Sequence, residues 1–128
     1  MSENTFIDID NGLKVTRLGN VRTLEGTDVI KQSIKTILST IPGERVRQPD
    51  FGCRIYTRLF EPVDFEIAED IQEDIQEALS TFEPRINLQQ ILVEPEYDSN
   101  KYRIEIYYYD VLNKKTDYFN AAVKAYED

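Results

Sequence analysis

The chain has 128 residues, with 24 acidic side chains against 15 basic ones, a formal charge of −9 and a pI near 4.5. That length suits one domain, and the acidity argues against nucleic acid or an anionic membrane surface as partner, because phosphate binding needs clustered Lys and Arg. Histidine is absent and Cys53 is the only cysteine, which excludes Ser-His-Asp and Cys-His mechanisms, His-ligated metal, an internal disulfide and a cysteine zinc site.

Residues 1–12 are polar and acidic and lack the charged-then-apolar order of a signal peptide. No stretch approaches the roughly 18 consecutive apolar residues of a membrane span. The expectation is a soluble protein of a reducing compartment, without cofactor or metal. If it is an enzyme, carboxylates must carry the chemistry.

Residues 1–25 alternate weakly in hydropathy (Phe6, Ile7, Ile9, Leu13, Val15, Leu18, Val21) and read as an extended N-terminal arm holding one short strand. Residues 26–128 read as a single domain. Its first helix is expected over about residues 28–40, with Thr27 as N-cap and Asp28 set favourably against the helix dipole. Ile30, Ile34, Ile37, Leu38 and Ile41 form one apolar stripe, and Pro42-Gly43 supplies the stop. Residues 43–64 are punctuated by Pro49, Gly52 and Pro62. Within them residues 45–47 read as a short strand, and residues 53–60 as a short helix with Ile55, Leu59 and Phe60 inward.

The second helix is expected over residues 65–82, capped by Asp64 and ended before Pro84. Ile67, Ala68, Ile71, Ile75, Ala78, Leu79 and Phe82 share one face at 100° per residue. Glu66, Glu69, Asp70, Glu73, Asp74 and Glu77 crowd the opposite one. Beyond this helix the period changes to two. Residues 88–97 place Ile91, Val93 and Tyr97 on one face, and Pro95 marks an edge or a bulge. After a turn at residues 98–101, residues 102–112 place Tyr102, Ile104, Ile106, Tyr108 and Leu112 together. A turn at residues 113–115 leads to a last strand over residues 116–125. Three strands joined by short turns imply an antiparallel β-meander, and two helices on its apolar face make an α+β fold.

The acidic helix face is either a solvated face or a docking face for a basic partner; a calcium site would need a converging loop. Glu61 and Glu83, each in Phe-Glu-Pro, sit beside apolar residues, but a glycosidase pair must flank a cleft with one acid desolvated. Glu83 and Arg85, held apart by Pro84, are either two solvated charges at a helix stop or a semi-buried network at a junction. Tyr107 and Tyr109 leave the core face, through ordinary β-propensity or because another chain covers them. The last strand, with Phe119, Ala121 and Val123, offers an edge that can accept a foreign strand. Cys53 reads as a small buried apolar residue.

The run Ile41-Pro42-Gly43-Glu44-Arg45-Val46-Arg47-Gln48-Pro49-Asp50-Phe51-Gly52-Cys53, then Leu59-Phe60-Glu61-Pro62, then Phe82-Glu83-Pro84-Arg85-Ile86, resembles the baseplate wedge proteins of contractile phage tails, the gene-25-like or "baseplate lysozyme-like" family. The type VI secretion subunit TssE is similar. The resemblance extends from the first helix onward. It implies a structural role, a fold like the interlocking domain of tail sheath proteins, and a place in the virion tail baseplate, assembled in the host bacterial cytoplasm. The implied partners are other wedge proteins, the tail sheath protein and, further, the tail tube. Glu83, Pro84 and Arg85 map onto a motif that meets wedge partners. Pro42, Gly43, Glu44, Arg45, Pro49, Phe51 and Gly52 map onto structural turns. The resemblance leaves open an equivalent subunit of a type VI secretion system; a carboxylate-dependent peptidoglycan hydrolase is the remaining alternative.

Overall fold

The computed structural model describes residues 7–9 and 27–125. In chain order the elements are β1 (Ile7–Ile9), α1 (Thr27–Ser39), α2 (Ile55–Arg58), α3 (Phe65–Phe82), β2 (Ile86–Glu96), β3 (Lys101–Asp110) and β4 (Lys115–Lys124).

α3 starts where its cap dictates. Asp64 is extended and its carboxylate accepts the Glu66 N–H at 2.9 Å, satisfying a donor that every helix start leaves free. The Tyr102 hydroxyl accepts the Asp64 N–H at 3.1 Å and pins this end to β3. Ala68, Ile71, Ile75, Ala78 and Leu79 are buried, with Ile67 and Phe82 at the margin. α1 contributes Ile30, Ile34, Ile37 and Leu38 to the same core. Each fully buried Ile or Leu stabilises the fold by roughly 1.5–3 kcal/mol relative to exposure.

The sheet is antiparallel throughout, in the order β1-β4-β3-β2. Cross-strand rows set its core face: Val93, Ile104 and Ala121 form one, and Ile91, Ile106 and Phe119 the next. A one-residue slip would turn each row to the other face, so burial fixes the register. Asn100 and Lys114, both at φ 55°, supply the left-handed positions of the two hairpin turns.

Several expectations change. Residues 45–47 form no strand but an exposed loop, because Gly43 and Gly52, at φ 100° and 130°, turn the chain on either side of them. Phe60 is 60% exposed rather than inward, because α2 ends at Arg58. Tyr97 and Leu112 leave the sheet faces and are exposed, since β2 stops at Glu96 and β3 at Asp110. Asp74 lies on the buried side of α3, only 8% exposed, instead of joining the solvated carboxylates.

The edge expected along β4 is not free, as β1 pairs Ile7, Asp8 and Ile9 with Val123, Ala122 and Ala121. β1 is the short strand expected in the arm. The rest of that arm, and the capping role of Thr27 and Asp28, lie outside the described residues and side chains.

Candidate functional site

Pro84 cannot continue α3, and its ring restricts Glu83 to a non-helical conformation. Glu83 adopts φ −126° and ψ 83°, while its N–H still closes on the Leu79 carbonyl. The kink turns the carboxylate beneath the helices, where it is 2% exposed. Arg85 then binds it at two points: Nε donates to Oε2 at 2.7 Å and Nη2 to Oε1 at 3.1 Å, with the Arg85 backbone N–H on Oε2 at 3.3 Å. Ser33 of α1 completes the shell, its Oγ donating to Oε1 at 2.5 Å. Of the two readings left open for this motif, the structure shows the buried network.

Burial works to raise the Glu83 carboxyl, but the hydrogen bonds from Arg85 and Ser33 outweigh it and hold the group below its ordinary value. The network continues into the sheet. The Arg85 carbonyl accepts the Val111 N–H at 2.9 Å. Asp110, wholly buried, accepts the Asn113 backbone N–H at 3.0 Å and its Nδ2–H at 2.7 Å. Here too burial opposes ionisation and the hydrogen bonds prevail, so Asp110 sits low. The buried Tyr108 hydroxyl makes no hydrogen bond with the described residues. Burial first, then the charges of Asp117, Asp110 and Glu83, raise its pKa.

The loop after α1 is braced from within. The Gly43 N–H meets the Pro49 carbonyl at 2.7 Å, and the Cys53 N–H meets that of Thr40 at 3.0 Å. Glu44 closes a turn on Ile41, with the Ile41 N–H on its carboxylate at 3.2 Å. A Cβ at Gly52 would lie 2.4 Å from the Thr40 oxygen, so only glycine fits. The Arg45 guanidinium stacks 4.2 Å over Phe51, which packs 4.9 Å from Phe82. Pro42, Gly43, Glu44, Arg45, Pro49, Phe51 and Gly52 thus form one turn system, which leaves Val46 95% exposed at its tip.

Sequence reasoning missed a second buried pair. Arg58 of α2 donates Nε and Nη2 to Asp74 at 2.8 and 3.2 Å and lies 3.9 Å from Asp70. Asp74, Cys53, Asp50, Arg54 and Glu77 line part of a cleft of about 250 Å³. Burial pushes the Cys53 thiol up to about 12, which keeps it protonated. Ser33 was missed as well. Its only signal was a small polar residue interrupting the isoleucine stripe of α1. Among the described residues no cluster of His, Cys, Asp or Glu could hold a metal.

On β4, Phe119, Ala121 and Val123 turn their side chains into the core, so a partner could meet them only through the backbone. Tyr107 and Tyr109 stand half-buried on the other face. There the Tyr107 hydroxyl donates to Glu105 at 2.9 Å and its ring lies 6.2 Å from that of Tyr118. The structure therefore brings Glu83 and Arg85 together, and separates them from the β4 edge.

Solved structures place this sandwich in a class of tail and baseplate proteins. It matches a Geobacter sulfurreducens protein described as a tail lysozyme with a TM-score of 0.74 and 30% identity, over 84% of this chain and 99% of the other. It also matches a chain of the type VI secretion system baseplate complex with a TM-score of 0.66, over 77% of this chain and 93% of that one; at 15% identity this likeness concerns the fold. Residues 24–113 match the family model described as baseplate wedge protein gp25. The chain is 33% identical over 101 residues to baseplate wedge protein gp25 of Enterobacteria phage T4, covering 79% of this chain and 76% of that one. The chain belongs to the baseplate wedge protein gp25 family, a family of structural baseplate proteins.

Proposed function

We propose that this chain is a structural subunit of a contractile phage tail baseplate, docking on wedge proteins beside the tube and offering its sheet to the first ring of the tail sheath. The observation that carries the second half is β1, a three-residue strand held on β4 in an antiparallel register. The outer edge of β4 therefore accepts a short strand through main-chain bonds. A sheath strand taking the place of β1 would extend the sheet in the same way. Pro84, exposed, and Arg85, whose side chain is 35% exposed, are the reachable parts of the junction that would meet a wedge partner. Tyr107 and Tyr109 offer a second surface, and the tail tube is a further neighbour.

Assembly would take place in the host bacterial cytoplasm, without nucleic acid or membrane as partner. The charge of −9 supports the first exclusion. Among the described residues no helix is long and apolar enough to cross a membrane.

We read the chain as no enzyme. A glycosidase needs an acid whose pKa is raised in an apolar pocket. The buried carboxyls Glu83 and Asp110 are instead held low, and Asp74 is bound to Arg58. The fold likeness to the type VI secretion baseplate supports a second reading, the equivalent subunit of such a system.

Electron microscopy of particles made without this protein tests the proposal. Baseplates carrying bare tubes without sheath are the expected result. Complete sheathed tails that adsorb but cannot breach the wall would overturn it and bring the hydrolase reading forward.

A further inference from the structure

Among the described residues β2 is an outer strand of the sheet: one side pairs with β3 and the other has no neighbour. Such edges are ordinarily protected by charge, proline or bulges. On β2 the charges and the proline are confined to one end, at Glu94, Pro95 and Glu96. Residues 86–93, Ile-Asn-Leu-Gln-Gln-Ile-Leu-Val, carry no charge in a chain that is 30% charged. The ladder slips between Leu88 and Gln90, which leaves Gln89 exposed and without a partner on β3.

A groove of about 380 Å³ lies between this edge and α3, lined by Gln72, Gln76 and residues 88–92. Gln72 and Gln76, four residues apart, form one row on the helix. The acidic row Glu66, Asp70, Glu73 and Glu77 is a different one. Glu69, three residues before Gln72, continues the row of Gln72 and Gln76, so the stretch of α3 that lines the groove is neutral and the row turns acidic one turn earlier.

These groups recognise an extended main chain. Among the described residues the outward N–H and C=O groups of β2 face no strand and could bind one, and four primary amides can each donate and accept. A second copy of this chain is the wrong occupant. It would set two chains of charge −9 side by side and press one bulge against the other. We propose that the β2 edge and its Gln72–Gln76 groove receive an extended, uncharged or basic strand from a different protein. The proposal rests on the baseplate reading only for the source of that strand, a neighbouring baseplate or tail component.

The test compares amide hydrogen exchange of the full chain, free and in assembled particles, with photo-crosslinking from benzoylphenylalanine placed at Gln89 or at Glu73. Residues 87–93 are expected to exchange at least about tenfold more slowly on assembly. Gln89 should crosslink to one defined segment of another protein, and Glu73 should not. The exposed-site variants Gln89→Lys and Leu92→Lys should keep the native melting temperature and lose the exchange protection, and Leu92→Lys should also lose the crosslink from position 89. Equal exchange of residues 87–93 in both states, with the chain present in the particle, overturns this proposal and leaves the baseplate reading standing. A crosslink joining two copies of this chain overturns the choice of occupant. Absence of the chain from the particles defeats the baseplate reading and this proposal with it.

Discussion

Among the described residues two half-exposed arginines each hold a buried carboxylate, and the two pairs hold different things. Arg85 reaches back two residues to Glu83, while Ser33 joins from fifty positions away, so α1 and the turn between α3 and β2 meet on one carboxylate. Arg58 reaches sixteen residues to Asp74, links only α2 and α3, and shares its charge with Asp70. The Glu83 pair is framework for the whole sandwich; the Asp74 pair is a local clamp on the braced loop. What separates them is the neutral donor from α1, because a carboxylate bonded from several sides stays ionised in a site that would otherwise neutralise it.

The largest effect expected leaves both pairs chemically intact. Gly52→Ala forces a Cβ onto the Thr40 oxygen at a φ of 130° and should cost about 4 kcal/mol in denaturant unfolding. NMR of the arginine side chains should show Arg58 released while Arg85 stays bound. Simultaneous release of both would break the distinction between clamp and framework.

Next comes Glu83→Ala, which strands Arg85 and Ser33. It should cost about 3 kcal/mol, the low end for a broken buried pair because Arg85 reaches solvent. Glu83→Gln, which keeps an acceptor oxygen, should cost about half of that. Asp74→Ala should cost about 2 kcal/mol, and a double-mutant cycle should give Glu83–Arg85 the larger coupling. Equal couplings would erase the ranking.

Acid sharpens the contrast. Glu83 and Asp110 have folded values below their ordinary 4.5 and 3.8. The unfolded chain therefore binds protons first as pH falls. The stability these groups contribute is full above the ordinary values and is lost as pH drops through the folded ones. Unfolding free energies measured from pH 6 to pH 2 should show that decline, and Glu83→Gln should flatten it. The smallest effect concerns Cys53, which lines the cleft beside Asp74. Iodoacetamide at pH 8 should leave it unmodified in the native protein and alkylate it after unfolding in urea, with no change in stability for Cys53→Ala beyond about 1 kcal/mol.

Much of the architecture can be read from spacing, because α3 and the hairpins obey strong periodic rules. The isoleucines of α1, the Asp64 cap, the Pro84 stop and the alternation from Tyr102 to Tyr108 each name their own surroundings. The misread positions share a cause. Phe60, Tyr97 and Leu112 sit just past element ends, where periodicity no longer applies. Asp74 looked like its acidic neighbours because its partner Arg58 comes from another element. The motif Phe-Glu-Pro-Arg marked the junction, yet nothing local could reveal Ser33. The β4 edge was expected to be free because pairing across more than a hundred residues leaves no mark on either segment alone.

That long-range pairing has a consequence for timing. β1 is carried on the same chain as the strand it covers, so it acts as an intramolecular competitor at an effective concentration on the order of millimolar. A strand from elsewhere, free in dilute solution, loses to it. One already held close by a docked neighbour competes on equal terms. Under the proposed strand exchange, the three-residue cover on β4 would thus work as a threshold, keeping that edge closed to strays and yielding only when assembly has raised the local concentration of the right partner.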